Sequence, residues 1–224
     1  MSLFWRLLAA HFLIDFTLQT GWFLRNKDKA YAIALHSFLF VIAGIFFVYP
    51  LLLADATIVV TVLGLGIWHF IVDFIKSQIA REKGSDLYLF LADQFIHIFS
   101  IWMINLLLYY HKFPLESKYY PSIAMAIFAI WGVPILIFLI KKKFIEKQTI
   151  KHNYVHREKA NTLSMVERAG IYIAIVLGNW FFLGLLLAII IRIYLFTSSK
   201  EKKFPIANWG LAGFLALAIR FVRV

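Results

Sequence analysis

The sequence has no cysteine and little charge. Of its 224 residues, 23 are Lys or Arg and 12 are Asp or Glu, so charged side chains make up 16%. The absence of cysteine excludes a disulfide framework, a thiolate metal site and a cysteine nucleophile. The scarcity of charge excludes disorder and argues against an ordinary soluble domain, in which about 25% of residues are charged. Long polar stretches are also missing, which leaves no room for a separate soluble domain. No fixed-period repeat and no low-complexity segment is present. What fills the chain is apolar: 62% of residues are hydrophobic and 18% aromatic. A bilayer crossing takes about 20 apolar residues.

This composition predicts an all-α, polytopic membrane helix bundle with six to seven transmembrane helices. The apolar runs place spans at roughly 3–24, 31–53, 57–80, 87–110, 121–141, 165–197 and 206–222. The chain divides into a four-helix core over 1–112 and C-terminal membrane helices over 113–224, which include a basic loop at 141–164. The net charge of +11 is read as lysine and arginine held in cytoplasmic loops, with no nucleic acid as partner. Arg25, Lys27 and Lys29 follow the first span; Lys76, Arg81 and Lys83 end the third; Lys141, Lys142 and Lys143 follow the fifth. All three groups fall on one side of an alternating topology. The positive-inside rule makes that side cytoplasmic and puts the N-terminus outside.

Against this background a polar set stands out. Span one carries His11, Asp15 and Gln19, each four residues apart, so they share a helix face. Span two carries His36. Span three carries His69, Asp73 and Lys76, and span four carries Asp93, Gln94 and His97. Counting at about 1.5 Å per residue from the basic loops places the whole set in the cytoplasmic half of the bilayer, roughly 5–20 Å deep. Spans five to seven and the outer half of spans one to four read as dry. An ionised aspartate inside a bilayer costs at least about 2.5–3.5 kcal/mol, so three of them need compensation.

Carboxylate plus neutral imidazole suits a divalent transition metal, zinc first, then manganese or iron. The candidate ligands are His11, Asp15, His36, His69, Asp73, Asp93 and His97. Asp15, Asp73 and Lys76 are the candidate catalytic groups, and Gln19 and Gln94 support the ligands or meet the substrate. A metal-bound water at such a site becomes a nucleophile near neutral pH. The expected function is therefore a metal-dependent membrane hydrolase acting on a lipid-like or phosphate-bearing substrate. Its partners would be membrane lipids and that substrate, and self-association into a homo-oligomer is compatible with the sequence. The alternative is a transporter or proton-conducting protein using the same network.

The pattern His11-x-x-x-Asp15-Phe16-x-x-Gln19, then Lys27, His36, His69-x-x-x-Asp73-x-x-Lys76 and Asp93-Gln94-x-x-His97 resembles a bacterial membrane family, domain of unknown function 3307, over about residues 5–110. That family is in turn distantly similar to inner-membrane metal-dependent hydrolases. The resemblance implies a membrane bundle with the polar residues in its first four helices.

Overall fold

A computed structural model describes residues 2–18, 21–83, 87–109, 119–146, 162–177, 213, 214 and 217. The described residues are helical apart from short turns, and none forms a strand. The order is α1 (Ser2–Phe12), running into a π-helical turn (Leu13–Leu18), then α2 (Gly21–Asn26), α3 (Ala30–Leu52), α4 (Thr57–Lys83) and α5 (Leu87–Ile104), which continues as a π-helical turn (Asn105–Tyr109). Next come α6 (Tyr119–Ile127), a π-helical turn (Phe128–Gly132), α7 (Val133–Ile140), a further π-helical turn (Lys141–Glu146) and α8 (Thr162–Leu177).

Four helical stretches are long and apolar enough to cross a membrane: Ala30–Leu52, Thr57–Arg81, Leu87–Leu108 and Tyr119–Phe144. They match spans two to five of the sequence reading. Their outward faces carry Phe46, Val60, Ile67, Phe95 and Leu107, each at least 64% exposed. An apolar surface of that extent suits lipid rather than water. The expected sixth span is described only over α8. The rest of 165–197, and all of 206–222 except 213, 214 and 217, lie outside the described residues.

Span one is described as α1, which continues into the π-helical turn to Leu18, and the short α2 from Gly21, with 19 and 20 outside the described residues. From Asp15 onward the sequence turns polar, and Gly21 opens a new helix. Nine of the eleven residues of α1 are buried, polar Ser2, Arg6 and His11 among them. A helix buried all round belongs in the middle of its bundle. One apolar cluster joins Leu3, Leu7, Ala10 and Ile14 to Phe40, Val48, Ile58 and Val62 of α3 and α4. Another joins Leu8, Phe12 and Phe16 to Leu87, Ile127, Ile135 and Phe138 of α5 to α7. Protein thus surrounds α1 on both sides.

Two glycines bring α3 and α4 close. A Cβ on Gly66 would lie 2.2 Å from Val41 Cγ2, and one on Gly44 would lie 2.9 Å from Val62 Cγ1. A Cβ on Gly64 would meet only open space. Helix ends are satisfied by side chains: Asp55 Oδ1 accepts the Thr57 N–H at 2.9 Å, and Asn105 Oδ1 accepts the Phe4 N–H at 3.2 Å. Pro134 has no N–H to return to the carbonyl of Ile130, four residues earlier. Arg168 Nε donates to that carbonyl at 3.1 Å. Arg168 is 2% exposed and reaches the α6–α7 junction.

Candidate metal centre

The polar residues of α1, α3, α4 and α5 converge at one point. The π-helical turn Leu13–Leu18 carries Asp15, and such widened turns recur at functional sites. Asp15 Oδ1 accepts from His36 Nε2 at 3.2 Å, and its Oδ2 accepts from Gln94 Nε2 at 2.8 Å. Because the Gln94 amide nitrogen faces carboxylates, its Oε1 can only accept. His11 Nε2, 3.3 Å from that oxygen, is accordingly the donor. His11, Gln94, Asp15 and His36 form one closed hydrogen-bonded chain.

The remaining groups are arranged differently. His69 Nε2 lies 3.4 Å from Asp73 Oδ2. His97 Nε2 lies 3.5 Å from Asp93 Oδ1 and 3.8 Å from Asp73 Oδ1. Lys76 Nζ donates to Asp93 Oδ2 and stands 3.6 Å from Asp73 Oδ1. His69 Nε2, His97 Nε2 and Asp93 Oδ1 are buried with no hydrogen-bond partner among the described residues. Unsatisfied buried polar atoms are costly, and here three of them face one another.

Gaps of 3.4–3.8 Å are too long for good hydrogen bonds. They approach the separation of about 3.3 Å between two ligand atoms that each lie about 2.0–2.1 Å from a tetrahedral zinc ion. Asp73, Asp93 and His97 offer three ligand atoms within 4.8 Å of one another, as do Asp15, His36 and His69, and His11, His69 and His97. The residues present therefore fit a cation, and His69, His97 and Asp93, with Asp73 beside them, bring three atoms without hydrogen-bond partners toward one point. His11 and His36 donate through Nε2, and His11 Nδ1 is buried without a partner. The two imidazoles hold Gln94 and Asp15 in place.

Charge points the same way. Three carboxylates and the Lys76 ammonium leave two negative charges if the imidazoles are neutral. One divalent ion closes that difference. Two imidazolium ions would also close it, but the rings crowd: His69 and His97 stack at 4.2 Å between centroids, and His11 lies 5.0 Å from His97. Like charges at those distances repel strongly in a buried site.

A cavity of ≈ 110 Å³ reaches this cluster. Asp15, His36, Asp73, Asp93 and Gln94 are among its polar lining, and Phe16, Phe23, Phe90, Ile135 and Leu139 among its apolar lining. Lys27 and Lys76 are its two cations. Lys143 Nζ sits 4.7 Å from the ring of Tyr88, at the start of α5, so the three basic segments of the sequence meet at one end of the bundle. Burial pushes the half-buried Lys27 ammonium down to about 8, with repulsion from Lys76 adding to the effect.

The structure thus brings together His11, Asp15, His36, His69, Asp73, Lys76, Asp93, Gln94 and His97. Gln19 lies outside the described residues. A family model described as a protein of unknown function, DUF3307, matches residues 3–126. The chain belongs to that family. The DUF3307 region holds every residue of the convergent cluster and ends inside α6. No curated protein and no solved structure matches the chain.

Two features go beyond the sequence reading. Lys27 belongs to the DUF3307 pattern but reads there as a loop cation after the first span, yet it lines the cavity. The outer half is also not wholly dry. Arg6 Nη1 donates to Phe47 O at 2.8 Å and to Tyr120 Oη at 2.7 Å, and its guanidinium lies 3.8 Å from the Tyr120 ring centre. A charged residue within the apolar run of α1 was the available signal. Between Arg6 and His11 lie Leu7, Leu8, Ala9 and Ala10, all buried.

Proposed function

We propose that this DUF3307 protein is an integral membrane, metal-dependent hydrolase, with Asp73, Asp93 and His97, joined by His69, holding a divalent transition metal. Zinc fits best, and manganese or iron accept the same donors. The observation that carries this reading is the convergence of three unpaired buried ligand atoms, of His69, His97 and Asp93, beside a cavity that Asp73 and Asp93 line, within a cluster two positive charges short of neutrality when its imidazoles are neutral. When bound, the metal would supply a water of lowered pKa. Asp15 and His36, hydrogen-bonded to each other and lining the same cavity, are placed to take and return a proton, with Gln94 fixing the carboxylate. Lys76 holds Asp93 in position. The apolar lining supports an amphiphilic, lipid-like substrate, and lysines at the cavity support a phosphate-bearing one.

The meeting of the basic segments at the cavity end supports an orientation with that end in the cytoplasm and the N-terminus outside, in a bacterial inner membrane. A transport path would need polar groups through the whole bundle. The buried apolar layer between Arg6 and His11 counts against that reading.

The test is elemental analysis of protein purified without chelators. The expected result is about one transition-metal ion per chain, removed by EDTA with loss of thermal stability. Wild-type protein carrying no metal under those conditions refutes the proposal.

A further inference from the structure

Lys27 is the cavity's uncommitted cation. Lys76 is engaged by Asp93 and Asp73. Lys27 lines the same cavity, is half-buried, and makes no hydrogen bond or ion pair among the described residues. A lysine held in a partly enclosed place without a counter-charge is disfavoured unless an anion from outside completes it. With the acidic cluster neutralised by a metal, Lys27 leaves the cavity with a positive charge. Phe16, Phe23, Phe90, Ile135 and Leu139 form the apolar part of its lining. A ligand matching a cation and an apolar lining has an anionic head and a hydrocarbon tail. Phosphate esters suit the head, because several oxygens on one centre can meet an ammonium and a metal-lined wall together.

We infer that Lys27 is the substrate-recognition residue for a phosphate group, carried by an amphiphile whose tail lies along Phe23, Phe90 and Leu139. This rests on the hydrolase reading for the identity of the reaction, but binding can be measured without turnover. Free phosphate shares the head chemistry and lacks the tail, so the two sources separate in one experiment.

The full chain in detergent micelles is titrated with dioctanoyl phosphatidate, dioctanoylglycerol, octanoate and inorganic phosphate. Wild type, Lys27→Gln and Lys27→Arg are compared, and metal content is measured on each. The expected result is saturable binding of the phosphatidate, weakened at least about tenfold in Lys27→Gln and largely kept in Lys27→Arg, with metal content unchanged. Dioctanoylglycerol and inorganic phosphate bind more weakly than the phosphatidate. An affinity of Lys27→Gln within twofold of wild type overturns the assignment. Octanoate binding as tightly as phosphatidate overturns the phosphate class, and inorganic phosphate doing so overturns the tail site. Metal-free wild type that still binds phosphatidate through Lys27 sinks the hydrolase reading and leaves this one standing.

Discussion

Two substitutions that move the charge of the cluster in opposite directions test the metal centre most sharply. Asp93 is buried, with Oδ2 held by Lys76 and Oδ1 facing His97 at 3.5 Å. Asp93→Asn removes a ligand oxygen and one negative charge together. Lys76→Met removes the competing ammonium and leaves every ligand atom in place. If a divalent ion balances the cluster, the first change weakens metal binding and the second does not. Altering a residue behind a ligand typically costs 10–100-fold in metal affinity, so loss of a ligand should cost at least about a hundredfold, equivalent to about 2.8 kcal/mol. A metal present at a hundred times its dissociation constant stabilises the fold by about 2.7 kcal/mol. For a chain of this size that is roughly 5–10 °C in Tm. The assay is thermal unfolding in detergent with and without EDTA, beside elemental analysis. Wild type and Lys76→Met should lose stability on chelation, and Lys76→Met should lose more, because Asp93 and Asp73 then have no cation at all. Asp93→Asn should carry little metal and respond little to EDTA. The opposite pattern, with metal kept in Asp93→Asn and lost in Lys76→Met, would refute the charge argument.

Other consequences follow from the same geometry. Gln94→Leu strips Asp15 of a donor and His11 of an acceptor. Thermal unfolding should show a loss of about 1–3 kcal/mol per orphaned group, and metal content should fall. Gly66→Ala drives a methyl onto Val41 Cγ2, a stiff β-branched side chain. It should cost about 1–3 kcal/mol, and Val41→Ala in the same chain should recover most of that. Binding of phosphatidate should depend on pH through Lys27, which Lys76, Asp73 and Asp93 influence across the cavity. Affinity should rise as the phosphate takes its second charge near pH 6 and fall above about 8 as Lys27 loses its proton. Lys27→Arg should abolish the upper limb, since a guanidinium stays charged. The sign for stability is the reverse of a salt bridge. Lys27 binds its proton less tightly folded than unfolded, so without ligand it costs stability below about 8, and that cost fades as pH rises toward the unfolded value. Lys27→Met should therefore raise Tm at pH 7 and change it little at pH 10.

Much of the core was legible from spacing. Long apolar runs specify helices in lipid because every backbone N–H and C=O must be satisfied within the segment, and α3, α4 and α5 lie where those runs predict. That protein surrounds α1 was not legible, because apolar content says that a helix is buried, not whether lipid or protein buries it. Leu3, Leu7 and Leu8 suit either surrounding. The role of Pro134 could be guessed as a kink, but its acceptor, Ile130 O, meets Arg168 only across the bundle.

The amino-acid order by itself determined which side chains share a helix face and how deep each lies, because rise and period are constants of the helix. That was enough to bring Asp15, His36, His69, Asp73, Asp93 and His97 to one level. Only the packed bundle decided which atoms are already spoken for. His11 and His36 spend Nε2 on Gln94 and Asp15, while His69 Nε2, His97 Nε2 and Asp93 Oδ1 stay without a hydrogen-bond partner. It also turned Lys27 from a loop charge into a cavity wall. The order and rotation of neighbouring helices arise from contacts between residues far apart in the chain, such as Gly66 with Val41, and no local period encodes them.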